Sequence, residues 1–248
     1  MEKLDVLIQE SKKIAVNSFK NFCINLNLDP DLFNHIYNID ISVENTYEDN
    51  LAEYDTQKNI IIINKFYISH LMKQSEKNII NENKIKLNLA LTIVHEMLHA
   101  NRTIFINDGI NNNIIINTIE NGKKNIESFD DYVSLVSNFY MKQISSELLD
   151  KNYNNISKII FEQYNFEETI TETIAIIIIL SRNDNNLDLN KITDKILNQN
   201  TYNDEKLMIK VIKDIGLKLL AWFMTSVYDD YYNYTMHEKV MNKYKKIK

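Results

Sequence analysis

The segment IVHEMLHANR, residues 93–102, constrains the chain more than any other. It holds His95 and His99 four residues apart, with Glu96 directly after the first histidine. On an α-helix, residues at this spacing share a face, so both imidazoles can be presented to one ion. Glu96 lies about 100° round the helix from His95 and can border the ion without ligating it. The H-E-x-x-H spacing has a mechanical sense: two metal ligands, with a carboxylate beside them that accepts a proton from a metal-activated water. It makes three demands on the fold. The segment must be helical, its apolar neighbours must be buried, and another element must bring a third ligand. A catalytic zinc ordinarily has three protein ligands and an open position.

Hydrophobic periodicity supplies the elements. Residues 2–26 carry Leu4, Leu7, Ile8, Ala15, Phe19 and Phe22 at helical spacing, which predicts an N-terminal helix. Asp29 is placed to cap a further helix with Pro30 at its first position. IDISVE and KNIIIIN are β-branched and short, and predict a small sheet over residues 39–64 with NLAEYDTQ between the strands. Helical spacing returns over 65–81 and again over 84–101, where Asn101 and Arg102 mark the expected end of the apolar stripe. RTIFINDGINNNIIINTIENGKK then reads as a hairpin, with Asp108-Gly109 as its turn signal. Helices are expected from SFDD at 128–131 to about Leu149, over Ile156–Tyr164, within FEETITETIAIIIIL, and over NKITDKILNQ. A long helix is expected through TYNDEKLMIKVIKDIGLKLLAWFMTSVY, and a last one near the C-terminus. The expected fold is α+β, a mainly helical domain with a small sheet beside the H-E-x-x-H helix. It is read as one domain over 1–248, with a sheet-containing half at about 1–125 and a helical half at about 126–248.

FEETITETIA, residues 166–175, is the best source of the third ligand. Glu168 and Glu172 are four apart, and Ala175, Ile176 and Ile179 continue their face. Carboxylates on the inner face of so apolar a helix are costly unless they meet something charged. A metal and its histidines would offset that cost. The favoured assignment makes Glu168 the ligand and gives Glu172 the free ring N–H of a ligand histidine. Glu172 or Glu167 as ligand are the alternatives, and Asp130 and Asp131 are further acids better suited to a helix start. His35 and His70 fall on helices without a metal-ligand pattern and read as structural.

These two motifs resemble the gluzincins, the thermolysin-like and aminopeptidase-like zinc metallopeptidases. In that family the H-E-x-x-H helix packs against a second helix bearing an N-E-x-x-x-D/E stretch. The resemblance implies a zincin-like fold with His95, His99 and Glu168 holding one Zn²⁺, Glu96 as general base and Glu172 as the supporting acid. Glu167 stands where the family has Asn. The family also holds extended substrates along a strand preceding the active helix, here expected within AEYDTQKNIIIIN, first of all at residues 58–63. The metzincin pattern is absent, since Arg102 and Phe105 stand where it needs Gly and His. The oxyanion-stabilising Tyr or His has no motif; Tyr228, Tyr231, Tyr232, Tyr234 and His237 cluster near the C-terminus. The implied activity is zinc-dependent hydrolysis of peptide bonds in a peptide or protein substrate.

Composition narrows the alternatives. With three glycines and one proline in 248 residues, no Walker or dinucleotide loop appears. A net charge of −6 leaves no broad basic field for nucleic acid. The one cysteine, Cys23, allows no internal disulfide. The N-terminus lacks the apolar core of a signal peptide, and the longest apolar run, IAIIIIL at 174–180, is too short to span a bilayer. A cytoplasmic location without membrane attachment is therefore expected. Oligomeric state has no signature here. Two rival readings stand beside the peptidase: a zincin-like protein that keeps zinc without cleaving, and a helical interaction protein with no metal.

Overall fold

The computed structural model describes residues 2–45, 51–55, 58–77, 79–107, 168–184, 186–197, 203–225, 240 and 243–247. Two long helices form its spine. α1 (Glu2–Asn25) packs along α4 (Glu82–Asn107). The seam joins Ala15, Phe19 and Phe22 to a core that includes Leu89, Ala90, Ile93, Val94 and Leu98, all essentially solvent-free. Each large side chain so buried contributes about 1.5–3 kcal/mol relative to exposure. Asp29 caps a single 3₁₀ turn, Pro30–Phe33, by accepting the Asp31 N–H, and the short α2 (Asn34–Tyr37) follows. Phe33 and Tyr37 meet Phe19 edge-on, with ring centroids 5.5 and 5.9 Å away.

The sheet has three strands: β1 (Asp40–Glu44), β2 (Ala52–Asp55) and β3 (Ile60–Asn64), in the order β1-β3-β2. β3 pairs parallel with β1 and antiparallel with β2. A central strand must be apolar on both faces, and Ile61, Ile62 and Ile63 are all buried. The return from β2 to β3 is tied by the Lys58 N–H donating to the Asp55 carboxylate, with Asn59 at φ 53°. Asn64 then closes β3 and caps α3 (Lys65–Glu76), its side chain accepting the Phe66 N–H at 2.9 Å. β2 and β3 both lie against α4. The described protein is thus mainly helical with a small three-stranded sheet, as the periodicity predicts. The segment AEYD, expected only as an intervening stretch, is itself a strand.

Several helix boundaries differ from expectation: α3, for one, ends at Glu76 and not near 81. α4 continues six residues past Asn101 to Asn107, where residues 102–107 were expected to open a hairpin. Asn101 is not a frayed end: it is 1% exposed and its side-chain amide donates to the Met224 carbonyl at 3.1 Å. The side-chain N–H finds a carbonyl inside the core, so this polar residue is carried within the helix and does not end it. The remainder of the expected hairpin and the helices expected between 128 and 164 lie outside the described residues.

α5 spans residues 168–180. Ile170, Ile174, Ala175, Ile177 and Ile178 are buried, which accounts for the apolar run. No described helix is long and apolar enough to cross a membrane. The carbonyls just beyond α5 are held by α1: Asn21 donates to Arg182 and Asp184, and Asn25 to Asp184, at 3.1–3.3 Å. Because α1 also packs on α4, it fixes α5 relative to the histidine helix. α6 (Leu189–Leu197) follows, and the expected long helix is two, α7 (Asn203–Ile215) and α8 (Leu217–Thr225). Gly216 lies between them at φ 83°, a conformation costly for any residue with a Cβ. Its N–H still reaches the Ile212 carbonyl at 2.7 Å, closing α7, while its own carbonyl accepts from Leu219 and starts α8. An added Cβ would meet nothing within 4 Å, so the cost of Gly216→Ala is purely conformational. The expected loss is about 1–2 kcal/mol, read as a melting temperature lower by roughly 2–8 °C for a chain of this size.

Candidate metal centre

His95, Glu96 and His99 sit midway along α4, anchored by their buried neighbours Val94, Met97 and Leu98. Their helix forms the floor of a cleft of about 400 Å³. Asn88, Leu91 and Thr92 extend this floor toward the start of α4, Leu51 to Tyr54 form one wall, and Tyr67 on α3 and Glu168 and Glu172 on α5 also line it.

The side chains converge as a donor set. His95 Nε2 and His99 Nε2 are 3.0 Å apart. His95 Nε2 lies 3.5 Å from one Glu168 oxygen, and His99 Nε2 lies 3.5 Å from the other. Ligands bound at about 2.0–2.1 Å with tetrahedral angles stand about 3.3 Å apart. The observed separations, taken over both Glu168 oxygens, are close to that size. His95, His99 and Glu168 could therefore hold a metal ion. Glu172 takes a different position: its carboxylate accepts the His95 Nδ1–H at 2.8 Å, on the side of the ring turned away from His99. That bond orients the imidazole and leaves Nε2 as its ligating atom. His99 meets Glu168, whereas His95 meets both Glu168 and, a turn on, Glu172. The two helices therefore run in opposite senses through the site.

Electrostatics express the same arrangement. Burial alone would lower the His95 pKa, but the Glu168 and Glu172 carboxylates outweigh it and push the value up to about 10. Burial would raise the Glu168 pKa, yet its hydrogen bonds to both histidines hold the carboxyl well below the usual range. The carboxylates thus favour the protonated form of His95, and a cation bound there would compete with that proton.

Glu96 is distinct from this cluster. It is 6% exposed, and burial raises its pKa despite the opposing pull of His99 and His95. The backbone N–H of Tyr54, on β2, favours its ionised form. The Asn64 N–H reaches the Leu51 carbonyl, so alternate residues of β2 turn their backbone groups toward β3. Ala52 and Tyr54 face the other edge, and one of those outward N–H groups is the one that favours the Glu96 carboxylate.

Other expected positions fall elsewhere. His70 is exposed on α3 and pairs with Gln74, and His35 is on α2; neither lines the cleft. The strand expected to hold a substrate, at 58–63, is corrected. β3 is central and both its edges are used by β1 and β2, so it has no free backbone row. The strand at the cleft is β2. Glu167, Asp130, Asp131, Tyr228, Tyr231, Tyr232, Tyr234 and His237 lie outside the described residues, as does the side chain of Arg102.

Tyr54, Tyr67 and Thr92 were not anticipated as site residues. Thr92 had a usable signal, since it lies three residues before His95 and so on the same helical face. Tyr54 and Tyr67 had none, because the first acts through its backbone and the second reaches the cleft only through tertiary packing. Burial raises the Tyr67 pKa, with the neighbouring Thr92 side chain acting in the opposite sense.

No family model, curated protein or solved structure matches this chain.

The Glu172 geometry gives a direct expectation. Glu172→Ala removes the His95 Nδ1 partner and leaves the donor triangle in place. Metal affinity, probed with Zn²⁺, should fall about 10–100-fold, as such losses do, measured by competition against a chelator. Loss of less than twofold would mean that the carboxylate does not support the ligand.

Proposed function

We propose that this protein is a zinc-dependent metallopeptidase of gluzincin-like design, with His95, His99 and Glu168 as the metal ligands. Glu96 carries the proposal. A metal that served only to hold helices together needs three or four donors and no further acid. Here a buried carboxylate stands beside the donors and lines the same cleft. Burying it costs free energy that a structural site has no reason to incur.

Bound zinc would supply Lewis acidity to a water and to the scissile carbonyl. Glu96 would take the proton of the attacking water and deliver it to the leaving amine. Its raised pKa suits both halves of that transfer, since an acid nearer neutrality accepts and returns a proton more readily. Glu172 keeps His95 in the ligating tautomer. The outward edge of β2, with the N–H and C=O of Ala52, offers hydrogen bonds to an extended peptide laid along the cleft.

The test has two stages. Protein purified without added metal is assayed for zinc, with about one equivalent expected. Zinc-loaded protein is then incubated with a broad peptide library. Zinc retention without any cleavage would favour the non-catalytic zinc-binding alternative, and no zinc at all would leave a helical interaction protein.

A further inference from the structure

Asn88 is a polar residue of the cleft that no step of the hydrolysis uses. It lines the floor together with Thr92, His95 and His99. Positions 88, 92, 95 and 99 form one stripe of α4, so the Asn88 side chain leaves the helix on the same face as the two histidines. The core is served by another face, through Leu89, Ala90 and Ile93. The Asn88 backbone carbonyl accepts from the Thr92 hydroxyl at 3.2 Å, but its carboxamide makes no hydrogen bond among the described residues. It caps no helix end, since α4 begins at Glu82. Asparagine is also a weak helix former at an interior position. Its acceptor oxygen and two donor hydrogens are therefore open to a ligand in the cleft.

The chemistry of the group selects a class of ligand. A carboxamide presents an acceptor and a donor side by side. An extended peptide turns the N–H and C=O of one residue to the same side, which is how paired strands exchange both bonds. One carboxamide can thus accept from the N–H and donate to the C=O of a single peptide residue. Only every second residue of a peptide laid along β2 can pair with that edge, and the residues between need partners elsewhere in the cleft. Position selects the residue. Asn88 precedes His95 by seven residues, about 10.5 Å along α4. An extended chain advances ~3.3–3.6 Å per residue, so Asn88 stands about three residues from the metal-bound group. A ligand much shorter than that does not reach it.

We propose that Asn88 is a substrate-binding residue of the metal cleft, its carboxamide bonding the backbone N–H and C=O of one peptide residue about three positions from the metal-bound group. This rests on the peptidase reading above. It adds to it a preference for extended peptides over short ones.

Three probes separate the contributions. Acetohydroxamate offers a metal-binding group and little else. The hydroxamate of N-acetyl-tetra-alanine extends from that group in one chain direction, and a succinyl hydroxamate of tetra-alanine amide extends in the other. Dissociation constants are measured by calorimetry on the zinc-loaded full chain, for wild type, Asn88→Ala and Asn88→Asp. One of the two long hydroxamates should bind Asn88→Ala at least about 5-fold more weakly, the low end for two hydrogen bonds each exchanged against water. Asn88→Asp keeps the shape and loses both donors, so it should weaken the same probe. In Asn88→Ala, acetohydroxamate binding and zinc affinity should be unchanged and the melting temperature no lower, since alanine is the better helix former. Equal binding of both long hydroxamates by wild type and Asn88→Ala overturns the proposal while leaving the peptidase reading intact. Full-strength binding by Asn88→Asp also overturns it, because the loss in Asn88→Ala would then be one of shape. So does a parallel loss of acetohydroxamate or of zinc affinity in Asn88→Ala, because Asn88 would then act through Thr92 and the metal ligands. A zinc-loaded wild type that binds none of the three probes and cleaves no peptide overturns the peptidase reading itself, and this proposal with it.

Discussion

Glu96→Gln should keep the fold and the zinc and lose at least about 10²-fold in peptide turnover. General base catalysis is typically worth 10²–10⁴-fold, and glutamine preserves shape while removing the basic oxygen pair. The carboxamide oxygen can still face the Tyr54 N–H that favours the native carboxylate. The substitution also removes a buried ionisable group, so stability should not fall. The measurement is turnover of one cleaved library peptide at equal zinc occupancy, with thermal melts in parallel. Equal rates for wild type and variant would remove the catalytic assignment of Glu96 and leave a metal whose role is structural.

His99→Ala should abolish stoichiometric zinc binding and peptide cleavage together. His99 supplies one vertex of the donor triangle, 3.0 Å from His95 Nε2 and 3.5 Å from Glu168. Two remaining donors make a weak site, so the loss should exceed the 10–100-fold expected for Glu172→Ala. Glu168→Ala should behave like His99→Ala, not like Glu172→Ala. The difference is also readable without any substrate. A ligand at 100 times its dissociation constant stabilises the folded state by about 2.7 kcal/mol. For a chain of this size that is a rise of roughly 5–11 °C in melting temperature. Wild type should show this zinc-dependent rise, Glu172→Ala a smaller one, and His99→Ala none. An undiminished rise in His99→Ala would place the metal elsewhere.

How far the site was legible depended on what each residue needed. His95, Glu96 and His99 lie within one helical turn, so their spacing alone set their mutual placement. Glu168 and Glu172 were legible because carboxylates on a face continued by Ala175 and Ile179 had to meet something charged. Their partners lie 77 residues away along the chain, in the case of His95 and Glu172. Nothing local distinguishes the residue that faces Nε2 from the one that faces Nδ1. Strand pairing was less legible. KNIIIIN and IDISVE were visible as strands, but sheet order is a choice among pairings that the separate patterns do not encode. That order put β3 in the middle and β2 at the cleft, reversing which strand is available to a peptide. Asn101 and Gly216 failed in opposite directions. A polar residue looked like a helix end until a carbonyl on α8 took its side-chain N–H, and a glycine inside an apolar stripe concealed a break in the helix.

By itself, then, the sequence determined the helical spine, the existence of a small sheet, and the pairing of two histidines with an adjacent acid. Each is a consequence of periods of 3.6 or 2 residues, which act over a few neighbours. Only the tertiary structure decided that α1 would hold both α4 and the end of α5, so that Glu168 closes the triangle and Glu172 stands behind His95. It alone decided that a backbone N–H of β2 would favour the Glu96 carboxylate and that Tyr67 would reach the cleft. These are contacts between segments remote in sequence. They form because the buried faces of the helices and sheet can pack together in few ways, and the polar groups carried inside must find partners there.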